Sequence, residues 1–211
     1  MTSPIKPAKV PRTRMTAAAR REQLIGVARG LFAERGFDGS SIEEVASRAA
    51  VSKPVVYEHF GGKEGLYAVV VDREVTLLLS MMREALTAGT SRELLEQAAV
   101  ALLDYIERHP DGFRILVRDS PIGTTASFQS IIGDVATRVE GILVDAFTRR
   151  GLEPTTAPMY AQMLVGMVGT TGQWWLGTRR PERHVVAAHL VNLAWNGLSG
   201  LEQQPELITR G

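Results

Sequence analysis

Residues 51–66 read VSKPVVYEHFGGKEGL, and how this stretch is parsed decides the fold. Gly61 and Gly62 close a segment barely two turns long that opens at Ser52, where a hydroxyl can cap the helix. Pro54 falls in the first helical turn, which has no internal N–H partner to lose. On a helical wheel Val56 and Phe60 define an inward face, Pro54, Val55 and Glu58 take the opposite arc, and Tyr57 and His59 flank it. An isolated helix needs about 12 to 15 residues to be stable in water, so one this short must be held by its neighbours. It is displayed rather than self-supporting, and its outward side is small and polar.

Helical spacing continues on both sides of this segment. Upstream, Leu24, Val27, Ala28 and Leu31 follow the i, i+3, i+4, i+7 rule of a buried stripe, and Gly36 suits a left-handed stop, which predicts a helix over 15–35. Ser41 with Glu44, or Ser40 with Glu43, has capping-box spacing, and Ile42, Val45, Ala46 and Ala49 then form the stripe of a second helix, with a break at Ala50 and Val51. Downstream, one helix runs from Lys63 to about residue 88, long enough to leave one domain and enter another. Thr90 with Glu93 makes a further capping box, and 91–109, 111–119, 125–150, 156–177 and 182–202 read as helices between proline and glycine breaks. No alternating apolar pattern bounded by strand-turn dipeptides interrupts them. The expected fold is all-α with about nine helices, divided into a flexible basic arm (1–14), a three-helix domain (15–66) and a larger helical domain (67–211).

Composition narrows the function. The 211 residues are 45% hydrophobic and 22% charged, an ordinary globular balance, with a formal net charge of +1. That neutrality hides an asymmetry: residues 1–66 hold 11 basic and 7 acidic side chains, a net of +4, while the remainder holds 13 and 16, a net of −3. A helix, a tight break and a second short helix within about 20 residues, on a basic segment, is the arrangement that offers a recognition helix to the DNA major groove. The absence of cysteine excludes disulfides, thiol nucleophiles and thiolate metal sites and fits a reducing cytoplasm. No run approaches the roughly 18 apolar residues of a membrane span, so no membrane partner is expected. There is no Gly-x-Ser-x-Gly elbow, no His-Glu-x-x-His and no phosphate-binding loop, and His184 and His189, five apart, fall on different sides of a helix. Neither catalysis nor a metal or cofactor is expected.

SIEEVASRAAVSKPVVYEHFGGKEGLY, residues 41–67, resembles the N-terminal signature of the tetracycline-repressor (TetR) family of bacterial transcription regulators. ARGLFAERGF, the Ala-Val-Ser turn, the Tyr-x-His-Phe core and the Lys-Glu-x-Leu that follows occur in the family's order, over about residues 15–67. The resemblance implies a homodimer on a double-stranded, palindromic DNA operator, repressing transcription until a small-molecule effector binds the C-terminal domain. By the same resemblance Ser41 meets phosphate at a positive helix end, Ser52, Lys53, Pro54 and Val55 face base edges and adjoining phosphates, Tyr57 and His59 contact the backbone, and Lys63 meets a phosphate from the next helix. Arg12 and Arg14 either follow the duplex or belong to a free terminus. Pro54 and Glu58 depart from the commoner pattern. Glu58 opposes phosphate but can accept from cytosine N4, which makes it either a base reader or a tolerated cost.

For the C-terminal domain the residues say less. Gly166, Gly169 and Gly172 form a spaced series that permits close helix approach and reads as an interface. Ala187, Leu190, Val191, Ala194, Leu198 and Leu201 line one side of the last helix as a seam for a four-helix dimer. Soft and aromatic side chains suit an adaptable pocket, expected at Phe113, Met163, Met167 and Trp174 with Arg118 and Gln173 as polar anchors; plain core is the competing reading for each of the apolar ones. Two other functions remain open on the sequence: an all-α enzyme or small-molecule carrier, and a DNA-binding protein without a ligand switch.

Overall fold

The computed structural model describes residues 15–117 and 128–205, and every regular element within them is helical. α1 (Ala17–Arg35), α2 (Ile42–Arg48) and α3 (Lys53–Phe60) form the small domain. α4 (Lys63–Ala85) leads into α5 (Ser91–Arg108), α6 (Pro110–Val117), α7 (Phe128–Arg150), α8 (Ala157–Thr178) and α9 (Arg183–Ser199), with a single 3-10 turn at Pro154–Thr156 before α8. The expected boundaries hold to within a few residues; α4 and α9 each end three residues early. Arg12, Arg14 and Arg118 lie outside the described residues.

Local chemistry explains the starts and stops. Thr16 Oγ1 accepts from the Ala19 N–H at 3.1 Å, Ser41 Oγ from the Glu44 N–H at 3.2 Å, and Thr90 with Glu93 completes a reciprocal capping box. Ser52, expected to cap α3, makes no side-chain cap bond; Pro54 in the first turn already removes one donor that a cap would serve. α3 ends where Gly61 turns left-handed at φ 74° and donates to the Tyr57 carbonyl at 2.8 Å, and Gly62 follows at φ 152°, a conformation open in practice to glycine alone.

The small domain packs on aromatic side chains. Phe32 and Phe37 both meet Tyr67 edge-on with ring centroids 5.0 Å apart, and Val56 is fully buried beneath α3. The same buried cluster continues without interruption along α4 into α5, α6, α8 and α9. α1 also packs on α6, so the small domain meets the large one through two helices and not through α4 alone. A second, smaller cluster joins Leu143 and Phe147 of α7 to Ala157 and Ala161 of α8.

Two expectations for the large domain are corrected here. Ala187, Leu190, Val191 and Ala194 are buried inside the chain, where α9 packs on α5, and Leu198 and Leu201 pack on the α7–α8 cluster. That stripe belongs to the monomer's own core and is not a dimer seam. Of the glycine series, Gly169 and Gly172 also face inward: a Cβ on Gly172 would come within 2.7 Å of Ile106 Cδ1, so its close approach serves α5 of the same chain.

Candidate functional site

The helix-turn-helix is assembled from α2, the turn at Ala49–Ser52 and α3. Ala50 sits in the left-handed region at φ 53°, a conformation that costs a residue with a Cβ about 1–2 kcal/mol. The turn is held by three bonds: the Val51 N–H donates to the Ala46 carbonyl at 3.0 Å, the Ala50 N–H to Ser47 at 3.1 Å, and Gln23 Nε2 of α1 reaches the Ala49 carbonyl at 3.2 Å. These offset the strain and fix the angle at which α3 leaves α2.

Ser52, Lys53, Pro54, Tyr57 and Glu58 are exposed together on α3, with Tyr57 45% accessible. His59 is half-buried, its ring 6.0 Å from that of Phe60. Val55, expected on the outward arc, is half-buried against the core, which leaves less of it for an outside partner. Lys63 stands apart from this group. Its Nζ donates to the carbonyls of Phe37 at 3.0 Å and Ser40 at 3.2 Å and lies 4.1 Å from the Phe37 ring centroid, so it closes the α1–α2 loop from α4. Two of its three donors are engaged inside the protein.

The domain's positive charge is largely compensated. Arg48 bonds Glu34 and Glu44, Arg35 bonds Glu44 at 2.8 Å, and Lys53 bonds Glu43 while its Nζ lies 5.6 Å from the Tyr57 ring centroid. Lys53 holds the Glu43 carboxyl below the usual carboxylate range, and Glu43 in turn raises the lysine. Any phosphate approaching Lys53 competes with Glu43. One cation beside α3 was not indicated by motif: the Arg21 guanidinium lies 4.8 Å from the Phe60 ring centroid. Arg21 is visible in the sequence only as one of two adjacent arginines, with no spacing that ties it to α3.

In the large domain α4, α5, α6, α7 and α8 surround a cavity of about 830 Å³, its open mouth included. Leu78, Met82, Leu102, Phe113, Val139 and Leu164 are among its walls, and every lining residue among the described ones is apolar. Of the five described residues expected to form a ligand site, only Phe113 lies here. Met163, Gln173 and Trp174 are exposed on the opposite side of α8, Met163 at 57% and Trp174 at 54%, while Met167 is half-buried against the core, outside the cavity wall. The helix turns Leu164, Val165, Val168 and Gly169 inward instead. Gln173 therefore anchors nothing in the cavity, and the signal that would have found its wall, a stripe of leucine, valine and alanine across α4, α5 and α8, looks the same as ordinary core.

Among the described residues no helix is long and apolar enough to cross a membrane, and no group of three or more His, Asp or Glu side chains could hold a metal ion.

Comparison with known proteins agrees with this architecture in both domains. A family model described as bacterial regulatory proteins of the tetR family matches residues 24–70, and one for a tetracyclin repressor-like C-terminal domain matches residues 91–197. The chain is 33% identical to the HTH-type transcriptional activator FasR of Mycolicibacterium smegmatis, over 88% of this chain and 86% of that one. Among solved structures it resembles a TetR-like transcriptional regulator from Rhodococcus sp. RHA1, with a TM-score of 0.70 and 27% identity over 89% of this chain and 100% of the other. A tetR-family regulator from Streptomyces coelicolor matches with a TM-score of 0.63 and 28% identity, covering 85% and 80%.

Proposed function

The chain belongs to the tetR family of bacterial regulatory proteins, and from that premise we propose a homodimer that binds a palindromic operator through α3 and changes its DNA affinity when an apolar small molecule fills the α4–α8 cavity. One observation carries the DNA half: Ser52, Lys53, Pro54, Tyr57 and Glu58 are exposed together on a helix whose one fully buried residue is Val56. Lys53 and Tyr57 are assigned to phosphate and sugar contacts, and Ser52, Pro54 and Glu58 to the base edges. Ser41 presents the N-terminus of α2 to a further phosphate, and Arg14 extends the contact from the arm. His59 and Val55, both half-buried, border this surface, and Lys63 supports it from behind.

The apolar wall that the described residues form supports an effector without a buried charge, since an ion against it would lose its hydration with no polar group of that wall to replace it. Met159, Met163 and Trp174 of α8 and Leu193 of α9 leave large apolar groups in solvent on the outer side of the large domain, and a second copy covering them supplies the dimer. Two-fold symmetry then sets the α3 helices about 34 Å apart, one turn of DNA. The cell compartment is the cytoplasm, where the DNA is.

Repression is the sign carried over from the family resemblance. Activation is the second reading, favoured by the name of the 33% identical relative. Selection of bound fragments from random duplexes tests the DNA half: the expected product is a near-palindrome with half-sites one turn apart, and no enrichment at low salt refutes it. Transcription from a promoter carrying that fragment, with and without the protein, decides between the two signs.

A further inference from the structure

Glu74, in the middle of α4, is a carboxylate with only 5% of its surface accessible, and neither the DNA surface nor the cavity uses it directly. Its two oxygens are divided between domains. Arg29 of α1 donates its Nε–H to Oε1 at 2.5 Å, and Tyr105 of α5 donates its hydroxyl to Oε2 at 2.9 Å. α6 closes the third side with Gly112, where a Cβ would overlap the carboxylate and come within 2.6 Å of the tyrosine oxygen. Burial disfavours the Arg29 charge, but the bond and charge of Glu74 outweigh it and hold the guanidinium above its ordinary range.

Each of the three junction residues of the large domain lies next to the cavity wall in sequence. Glu74 is one helical turn before Leu78, Tyr105 is three residues after Leu102, and Gly112 immediately precedes Phe113; Leu78, Leu102 and Phe113 all line the cavity. The fourth member, Arg29, belongs to the helix that supplies Ala28, Leu31 and Phe32 to the small domain's core. A buried carboxylate does not tolerate gradual loss of its partners, because an uncompensated charge out of water is heavily penalised. Such a junction has discrete arrangements, which is what coupling between two sites requires.

Resting on the ligand-switched reading above, we propose that Glu74 is the positioning residue of the switch. Spreading of α4, α5 and α6 by an occupant of the cavity displaces Tyr105 and Gly112 from the carboxylate, and the carboxylate re-aims Arg29 and with it α1. The small domain then turns relative to the large one. Gly112 is required because any larger residue would hold the junction open.

A pocket-filling substitution replaces the unidentified effector in the test. Ala98→Phe places a ring in the cavity, and DNA affinity for the selected fragment is measured in four proteins: wild type, A98F, Y105F and the double variant. Tyr105→Phe removes one donor and keeps the ring; Arg29→Lys, which keeps the charge and loses the aimed Nε–H, repeats the cycle if Y105F does not fold by circular dichroism. A98F is expected to change affinity by roughly fivefold or more in the wild-type background. In Y105F or R29K the same substitution is expected to leave affinity unchanged within about twofold. An equal change in both backgrounds overturns the role of Glu74 and leaves the cavity reading standing. No change in the wild-type background overturns the cavity reading and the junction together.

The second readout needs no DNA. The chain contains no cysteine, so spin labels at Glu58→Cys and Thr148→Cys report the distance between the small and large domains. A98F should shift that distance in the wild-type background and not in Y105F, and equal shifts in both contradict the proposal.

Discussion

Helix α3 fully buries one side chain, Val56, and turns a polar surface outward, whereas α8 is apolar on almost every side. α3 is held by helices that pack behind it, so its free face is set by what the core does not take. α8 has two apolar faces because it divides two spaces: Leu164, Val168 and Gly169 wall the cavity, and Met159, Met163 and Trp174 stand in solvent. A helix that is apolar all round is expected to be covered all round. The contrast supports the proposal that α3 meets a polar partner and α8 a second apolar surface.

The sharpest way to break that contrast is at two adjacent tryptophans. Trp175 is 1% exposed, donates its Nε1–H to the Pro181 carbonyl at 2.8 Å and belongs to the main core. Its replacement by alanine should cost about 3–5 kcal/mol in chemical denaturation. Trp174→Ala, one residue away, should cost the isolated chain no more than about 0.5 kcal/mol. Equal losses at the two positions would show that the outward face of α8 is covered within the chain itself.

Association should respond in the reverse order. Met163→Glu with Trp174→Glu places two charges on the outer face, and sedimentation should show association weakened by at least about 2 kcal/mol, some thirtyfold in Kd, with helicity unchanged. Glu43→Gln acts on the α3 side. Without its carboxylate partner Lys53 meets phosphate unopposed, and affinity should rise roughly two- to fivefold at low salt and less at high salt, the scale of one surface pair. The smallest effect is expected at Ala50→Gly. Relief of the positive φ is partly cancelled by the greater freedom of glycine in the unfolded chain, and thermal melting should show a gain below about 1 kcal/mol.

The same contrast explains what the sequence makes legible. The nine helices of the described residues follow from periodicity and caps, because Ser41 and Thr90 do in space what their spacing suggests. The wheel of α3 places Val56 correctly because a helix of two turns with one anchored residue has only one way to sit. α8 offers no such anchor: with apolar residues at every angle, its phase is decided by α5 and α7, which are distant in sequence. Aromatic and methionine content points to Met163 and Trp174, whereas the cavity is walled chiefly by leucine, valine and alanine. α9 fails the same way, since an apolar stripe specifies that something packs there and not which copy provides it. The Arg29–Glu74–Tyr105 junction carries no local signal at all, because its members are 45 and 31 residues apart.

The central claim is that α3 lies against a duplex, and the salt dependence of binding tests it most directly. With the selected fragment, log affinity should fall linearly with log salt at a slope near −0.9 per phosphate contacted. Lys53→Ala should flatten that slope by about one unit for each half-site. A slope near zero, or one that Lys53→Ala leaves unchanged, would contradict the placement of α3 on DNA.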